Sequence, residues 1–493
     1  MSTALLLLFA LALAAVPGSL FPQRGASPLA VNEWLERNPQ LGAVLDRLGM
    51  FDVFASAWFT AVYLLLLISI AGCVLPRLRV HLRALRTGPP PVPAQLDRLP
   101  CYVRHRPALD SAAGSAMAPA PGPAVIERAA GYLRGQRWRV QLSADGQGLS
   151  AEKGYARETG NLVFHAALLV LIVAVAAGAL FGYRGQIIVR EGRGFANTLT
   201  QYDLFNQGRL VRAGDLPPLS FTLEDFTAVF EREGTQRGSP RAFIADVLLR
   251  RTPASAPEPV RIEVNRPLRV GGTSVYLTGH GYAPVLAVRQ VDGRLLHADA
   301  TVFLPQDPVF TSTGVVKMPD AQPGLGLQGV LLPSAQFGAA GPVSVFPAAD
   351  NPVLFLTAWE GDLGMDEGAP QNVYALDFTN LTQIGSTALR PGQVWTLPDG
   401  RTVAFVGLSQ FASFQVADEP AAGWALAAAV VAMIGLLAGL FVRRRRIWLR
   451  LTPDGWEAGA LSRTDAPGLA DDLTALTAAV LGGNRQHRHP LEG

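Results

Sequence analysis

Cysteine is nearly missing: Cys73 and Cys101 are the only two in 493 residues. Neither lies in the long segment 183–421, so disulfides do not hold that segment, and no C-x-x-C pair supports thiol exchange. Charge is scarce as well, at 16% with a net +3, while 49% of residues are hydrophobic and the mean hydropathy is +0.23. That balance is too apolar for an ordinary soluble protein of this length. Also lacking are a Gly-rich phosphate loop, H-E-x-x-H and G-x-S-x-G. The acidic run "WEGDLGMDEG", residues 359–368, lacks EF-hand ligand spacing and reads as a turn. Nothing in the chain marks a self-contained active site.

What is present is long apolar runs. A hydrocarbon core of roughly 30 Å needs about 20 apolar residues in a helix. Thr3–Leu20, Val53–Leu75, Leu162–Gly182 and Trp424–Val442 come to that length without Lys, Arg, Asp or Glu. No basic stretch precedes the first run, which argues for an uncleaved helix over a signal peptide; its abrupt start leaves room for a further cytoplasmic extension. Arg77, Arg79, Arg83 and Arg86 follow the second run, Lys153 and Arg157 precede the third, and Arg443 to Arg446 follow the fourth. All three clusters fall on one side, which the positive-inside rule makes the cytoplasm. Both termini are then cytoplasmic, and the "RRRR" run reads as a topology anchor rather than a nucleic-acid site.

These boundaries divide the chain into spans 1 and 2 with a short external loop (1–75), a cytoplasmic loop (76–160), span 3 (161–182), an extracytoplasmic segment (183–421), span 4 (422–442) and a cytoplasmic tail (443–493). In the first loop, "NEWLERNPQLGAVLDRLGMFD" repeats apolar residues at helical spacing and predicts one or two short interfacial helices. "GPPPVPAQLDRLP" and "SAAGSAMAPAPGPA" read as linkers, and the stretch after them as a short amphipathic helix with two strands. Segment 183–421 contains short β-branched runs such as "RAFIADVLLRR", "VRIEVNRPLRV" and "RTVAFVGL", separated by turn residues. The fold class expected is a membrane protein with four transmembrane α-helices and a large, mainly β extracytoplasmic domain, sandwich or barrel-like, between helices 3 and 4.

His165 is the sharpest feature, because a titratable side chain inside a span is costly and is a functional candidate by default. It lies four residues past Asn161, hence about 6 Å into the membrane at 1.5 Å per residue. Two readings stand on residues alone: a ligand, since neutral imidazole suits haem iron and not hard cations, or a hydrogen bond to a neighbouring helix. Basic Lys153 and Arg157 near the same edge would suit haem propionates. His81, His105, His297, His487 and His489 read as solvated surface residues. His280, in "GHGYAP", reads as a tight turn with a hydrogen-bonded ring.

With these residues in view, the chain resembles the ResB family of system II cytochrome c biogenesis proteins, actinobacterial members in particular. The resemblance runs through "AAVPGSLFPQR", "FDVFASAWFTAVYLLLLISIAGCVLPR", "GNLVFHAALLVLIVAVAAGALFGYRG", "VNRPLRVGGTSVYLTGHGYAP", "GVVKMPDAQPG" and "FVRRRRIWLR", in order. It implies a plasma-membrane subunit that works with a ResC/CcsA-type membrane partner to move haem outward and attach it to apocytochrome c at C-x-x-C-H. It also implies that His165 helps to ligate haem b transiently, as a metal ligand shared with the partner, because no second histidine lies within a span. The chain would then be a component of a haem lyase, not an enzyme by itself. The short N-terminus and the polar tail after Arg463 depart from the family pattern. A scaffold that only recruits apocytochrome c to the partner is the competing reading. A transporter is weakened by four spans and no paired intramembrane carboxylate.

Overall fold

A computed structural model describes residues 2–106, 122–339, 341–365, 375–462 and 468–482. His487 and His489 lie outside these residues, as does most of "SAAGSAMAPAPGPA". The described helices are α1 Ser2–Leu20, α2 Pro28–Arg37, α3 Pro39–Arg47, α4 Ala57–Thr87, α5 Pro123–Gly135, α6 Ala156–Phe181, α7 Ala422–Phe441 and α8 Leu469–Leu481. Two compact units result, one of residues 1–176 with 422–493 and the other of residues 177–421.

In the first unit, α4, α6 and α7 are long and apolar enough to cross a membrane. Helix α1, expected as a further span, is apolar throughout but has 19 residues, and its continuous apolar stretch Leu5–Leu20 is shorter still. At 1.5 Å per residue it reaches about 28 Å, at the lower edge of a hydrocarbon core. The two short helices expected after it form as α2 and α3, each with proline in its first turn, where the missing N–H costs nothing.

A module of one sheet and two helices completes this unit. Its five-stranded antiparallel sheet runs Cys101–His105, Gly455–Ser462, Arg445–Thr452, Gly148–Lys153, Arg139–Leu142. Val125, Ile126, Ala129, Ala130 and Leu133 form one stripe of α5, and Leu469, Leu473, Leu476 and Val480 one stripe of α8. Both stripes bury against Leu149, Ile447, Leu449 and Trp456 of the sheet. The proline-rich stretch 88–100 is not a free linker. Trp448 Nε1 donates to the Pro90 carbonyl (3.1 Å) and Arg450 to that of Ala94 (3.3 Å), and Leu96 is fully buried. The tail strands Arg445–Thr452 and Gly455–Ser462 lie at the centre of this sheet, between Cys101–His105 and Gly148–Lys153.

The arginine run belongs to the same framework. Arg444 pairs with Glu152 and Glu158, Arg446 with Glu152 (2.9 Å) and Arg445 with Asp472 (2.5 Å). These charges still lie where a topology anchor would, but three of the four also hold the module together.

The second unit is mainly β. Its longest strands, Thr273–Arg289 and Thr402–Asp418, pair antiparallel from Thr273↔Asp418 to Arg289↔Thr402 and run through two successive cores. Val275, Leu277, Phe414 and Val416 face Phe221, Phe226, Leu249 and Ile262 from the four-stranded sheet. Farther along, Leu286, Val288, Val403 and Phe405 face Leu327, Leu354 and Leu356 from a five-stranded sheet. The large β domain expected from alternation is thus two sandwich cores sharing one long strand pair.

Candidate functional site

Helix α6 carries His165, and its first turns meet α7 at a contact only glycine permits. A Cβ on Gly160 would lie 2.7 Å from the Ala438 Cβ and from the Gly435 carbonyl oxygen. A Cβ on Gly435 would lie 2.7 Å from the Phe164 nitrogen. The buried residues of the two helices, Gly160, Ala167 and Ala174 on α6 and Ala428, Ala432 and Gly435 on α7, are all small. In a membrane, where apolar surface gains nothing from leaving lipid, such close backbone approach is what holds helices together.

The turn pinned in this way is the one that presents His165. Its Nδ1–H donates to the Asn161 carbonyl at 2.7 Å, and its ring stands edge-on to Phe164 with centroids 5.1 Å apart. A carbonyl can only accept, so the neutral ring is protonated at Nδ1 and its lone pair is on Nε2. Nε2 makes no hydrogen bond among the described residues, and the ring is half-buried. One ring nitrogen is thus tied to a backbone acceptor and the other is left as a donor atom, and Nε2 is the atom that would hold the iron of a haem. Among the described residues no group of three or more His, Cys, Asp or Glu side chains could hold a metal ion.

The remaining histidines divide differently from expectation. His81, read as a surface residue, is 9% exposed, and its Nε2 lies 3.0 Å from the Thr159 hydroxyl. Helix α4 runs 31 residues, so His81 sits on its continuation beyond the apolar stretch and ties α4 to the start of α6. Hydropathy marks where a span ends but not whether the helix goes on and packs, which is why this residue was missed. His105 packs against Trp456 with the rings tilted by 37° and their centroids 5.5 Å apart, and His297 lies in the strand Leu295–Ala300 with its pKa lowered, mainly by burial. His280, expected in a tight turn with a bonded ring, stands within the strand Thr273–Arg289. Its ring is buried, and neither nitrogen has a hydrogen-bond partner among the described residues.

The profile of the ResB-like family matches residues 1–474. Proteins named "Cytochrome c biogenesis protein CcsB" are similar along most of their length. That of Paulinella chromatophora is 26% identical over 500 residues, covering 97% of this chain and 96% of its own. That of Synechococcus sp. (strain CC9311) is 26% identical, covering 97% and 95%. That of Thermosynechococcus vestitus is 25% identical, covering 84% and 91%.

Proposed function

The chain belongs to the ResB-like family, and from that membership we propose that it is the haem-handling subunit of a system II cytochrome c synthase in the plasma membrane. Relatives along the whole chain are named for cytochrome c biogenesis. In this reading α1, α4, α6 and α7 all span, both termini are cytoplasmic, and the β unit faces outward, as the one-sided arginine clusters favour. His165 receives haem near the cytoplasmic edge through Nε2, and a ResC/CcsA-type partner supplies the opposite axial ligand and the outer station. There the haem vinyl groups are joined to the C-x-x-C-H cysteines of apocytochrome c.

The observation that carries this reading is the Nδ1 bond of His165 to the Asn161 carbonyl, which leaves Nε2 as an oriented donor in an apolar setting. The chain co-purified with its partner should show a low-spin Soret band. Full cytochrome c maturation by a complex that never carries haem would sink the reading and favour the scaffold.

The glycine contact gives a second test. Gly435→Leu cannot be accommodated against the Phe164 backbone, so α6 and α7 must part at the turn that aims His165. Misaligning a ligand's support costs roughly 10–100-fold in metal affinity. The haem content of the complex should fall by that order in Gly435→Leu, with His165 intact, and much less in Leu437→Ala on the exposed face of α7. Equal haem content in the two variants would show that the crossing does not position the ligand.

A further inference from the structure

Helix α4 does not stop where its apolar stretch does. It runs on from Pro76 to Thr87, about three turns, and this continuation carries arginines but no acidic residue. Arg79, Arg83 and Arg86 are exposed, and among the described residues no ion pair or hydrogen bond reaches their guanidinium groups. The tail arginines differ: Arg444, Arg445 and Arg446 each pair with Glu or Asp.

The three free arginines share one face. Leu75, Arg79, Arg83 and Arg86 follow at spacings of four, four and three residues, which stacks them along one side of a helix. Ile68, seven residues before Leu75, lies on the same side, and the two are 66% and 57% exposed. Leu64 and Leu65 beside Ile68 are exposed as well. That side of the apolar stretch is left for lipid, and the arginines extend it directly. The positive-inside rule asks for arginines on one side of the membrane, not on one face of a helix, so it does not account for the stripe. Val80 and Leu82 flank the stripe and are themselves exposed, a mixture of apolar and basic side chains that suits a membrane interface.

Along the axis, Arg79 lies about 6 Å beyond Leu75 and Arg86 about 16 Å. Helical side chains lean toward the N-terminus, which here is the membrane, so the stripe leans back to the bilayer surface. Guanidinium groups match phosphate oxygens in bidentate pairs.

We propose that Arg79, Arg83 and Arg86 bind the headgroup of an anionic phospholipid of the cytoplasmic leaflet, whose acyl chains lie along Leu65, Ile68 and Leu75. The proposal rests on reading α4 as a span with its C-terminal end inside, and not on haem. A lipid held there fixes the depth of α4, and α4 is tied to the helix of His165: Tyr63 donates to the Ile172 carbonyl (2.5 Å), and His81 Nε2 lies 3.0 Å from the Thr159 hydroxyl.

The test titrates the full chain, in neutral detergent, with phosphatidylglycerol, phosphatidylcholine and inorganic phosphate, and counts retained lipid by native mass spectrometry. Phosphatidylglycerol should be retained saturably and phosphatidylcholine should not. Inorganic phosphate, which lacks the chains, should compete weakly; displacement at equal concentration would make this a free-phosphate site and overturn the lipid. Each arginine near a membrane surface contributes roughly fivefold in affinity, so Arg79→Gln/Arg83→Gln/Arg86→Gln should weaken retention by about a hundredfold. Without lipid this variant should melt as the native chain does, which separates loss of the site from loss of the fold. Arg98→Gln/Arg134→Gln/Arg137→Gln removes the same charge from exposed positions of the module and should change retention little. Equal losses in the two triple variants would reduce the effect to net charge and overturn the site. A stripe variant that keeps its lipid but no longer co-purifies with the membrane partner would give this face to the partner instead. Orientation is read separately. In intact cells a membrane-impermeant maleimide should leave Thr87→Cys unlabelled, and labelling would overturn the cytoplasmic leaflet whatever the titration shows.

Discussion

His165→Ala should remove the low-spin Soret band of the complex and lower the yield of mature c-type cytochrome by at least roughly a hundredfold, the upper range for disturbing a metal site. The loss should be specific to the imidazole. His165→Cys, which offers a thiolate, should shift the band instead of abolishing it, and added imidazole should restore part of the activity of His165→Ala by entering the vacated space. Asn161→Ala is the informative companion. The bond that orients His165 comes from the Asn161 backbone carbonyl, which alanine retains, so this variant should keep the spectrum and nearly all the yield. A collapse in Asn161→Ala equal to that in His165→Ala would mean that the asparagine side chain, not the helix backbone, sets the ring. A native spectrum in His165→Ala with full maturation would remove the histidine from haem handling.

The second large effect is expected far from any haem. The Glu152 side chain is fully buried, and its carboxylate accepts from both Arg444 and Arg446. Burial pushes its pKa up, but the hydrogen bonds and charges of the two arginines outweigh that and hold it below the ordinary glutamate value. Removing one member of a buried ionic cluster leaves the others uncompensated, at a cost of about 3–5 kcal/mol. Glu152→Ala should therefore unfold the module that unites 122–155 with 445–482, seen as a lower melting temperature and rapid protease cleavage around residue 452. Glu158→Ala should cost much less, because the Glu158 side chain is 33% exposed where it meets Arg444, whereas that of Glu152 is fully buried.

The acid dependence has a definite sign. A carboxyl whose pKa falls on folding contributes stability above its unfolded pKa, about 4.3 for glutamate, and loses it as the pH drops through the lower folded value. The native module should weaken only below about pH 4.3, and Glu152→Gln should flatten that acid limb while being less stable at pH 7. A stability profile of Glu152→Gln parallel to the native one down to pH 3 would show that Glu152 does not carry the linkage.

Much of this protein was legible before folding. The runs that became α4, α6 and α7, the stripe of α5 and the alternating strands of 183–421 each declare themselves within a dozen or so residues, because burial on one face requires a matching period in the sequence. His165 stood out for the same local reason, as the one titratable group in an otherwise apolar run. The proline-rich stretch 88–100 could not be read this way. Its composition argues only against a core of its own and cannot show that another sheet face will receive Leu96. Nor could His280: Phe226, Phe243 and Phe310 come from three separate strands and turns, and GHG alone suggests a bend, whereas the strand pairing keeps it extended.

The sequence by itself determined which segments seek lipid, which side of them carries the arginines, and that a titratable ring would sit in the third apolar run, since solvation depends on composition and local period alone. Tertiary structure decided that the tail completes the module begun by residues 122–155, that Gly160 and Gly435 bring two helices into backbone contact at the turn bearing His165, and that the His280 ring packs among phenylalanines with no hydrogen-bond partner among the described residues. Those outcomes depend on which surfaces meet across hundreds of residues, where close packing and the pairing of every buried charge select one arrangement among many that the same local patterns allow.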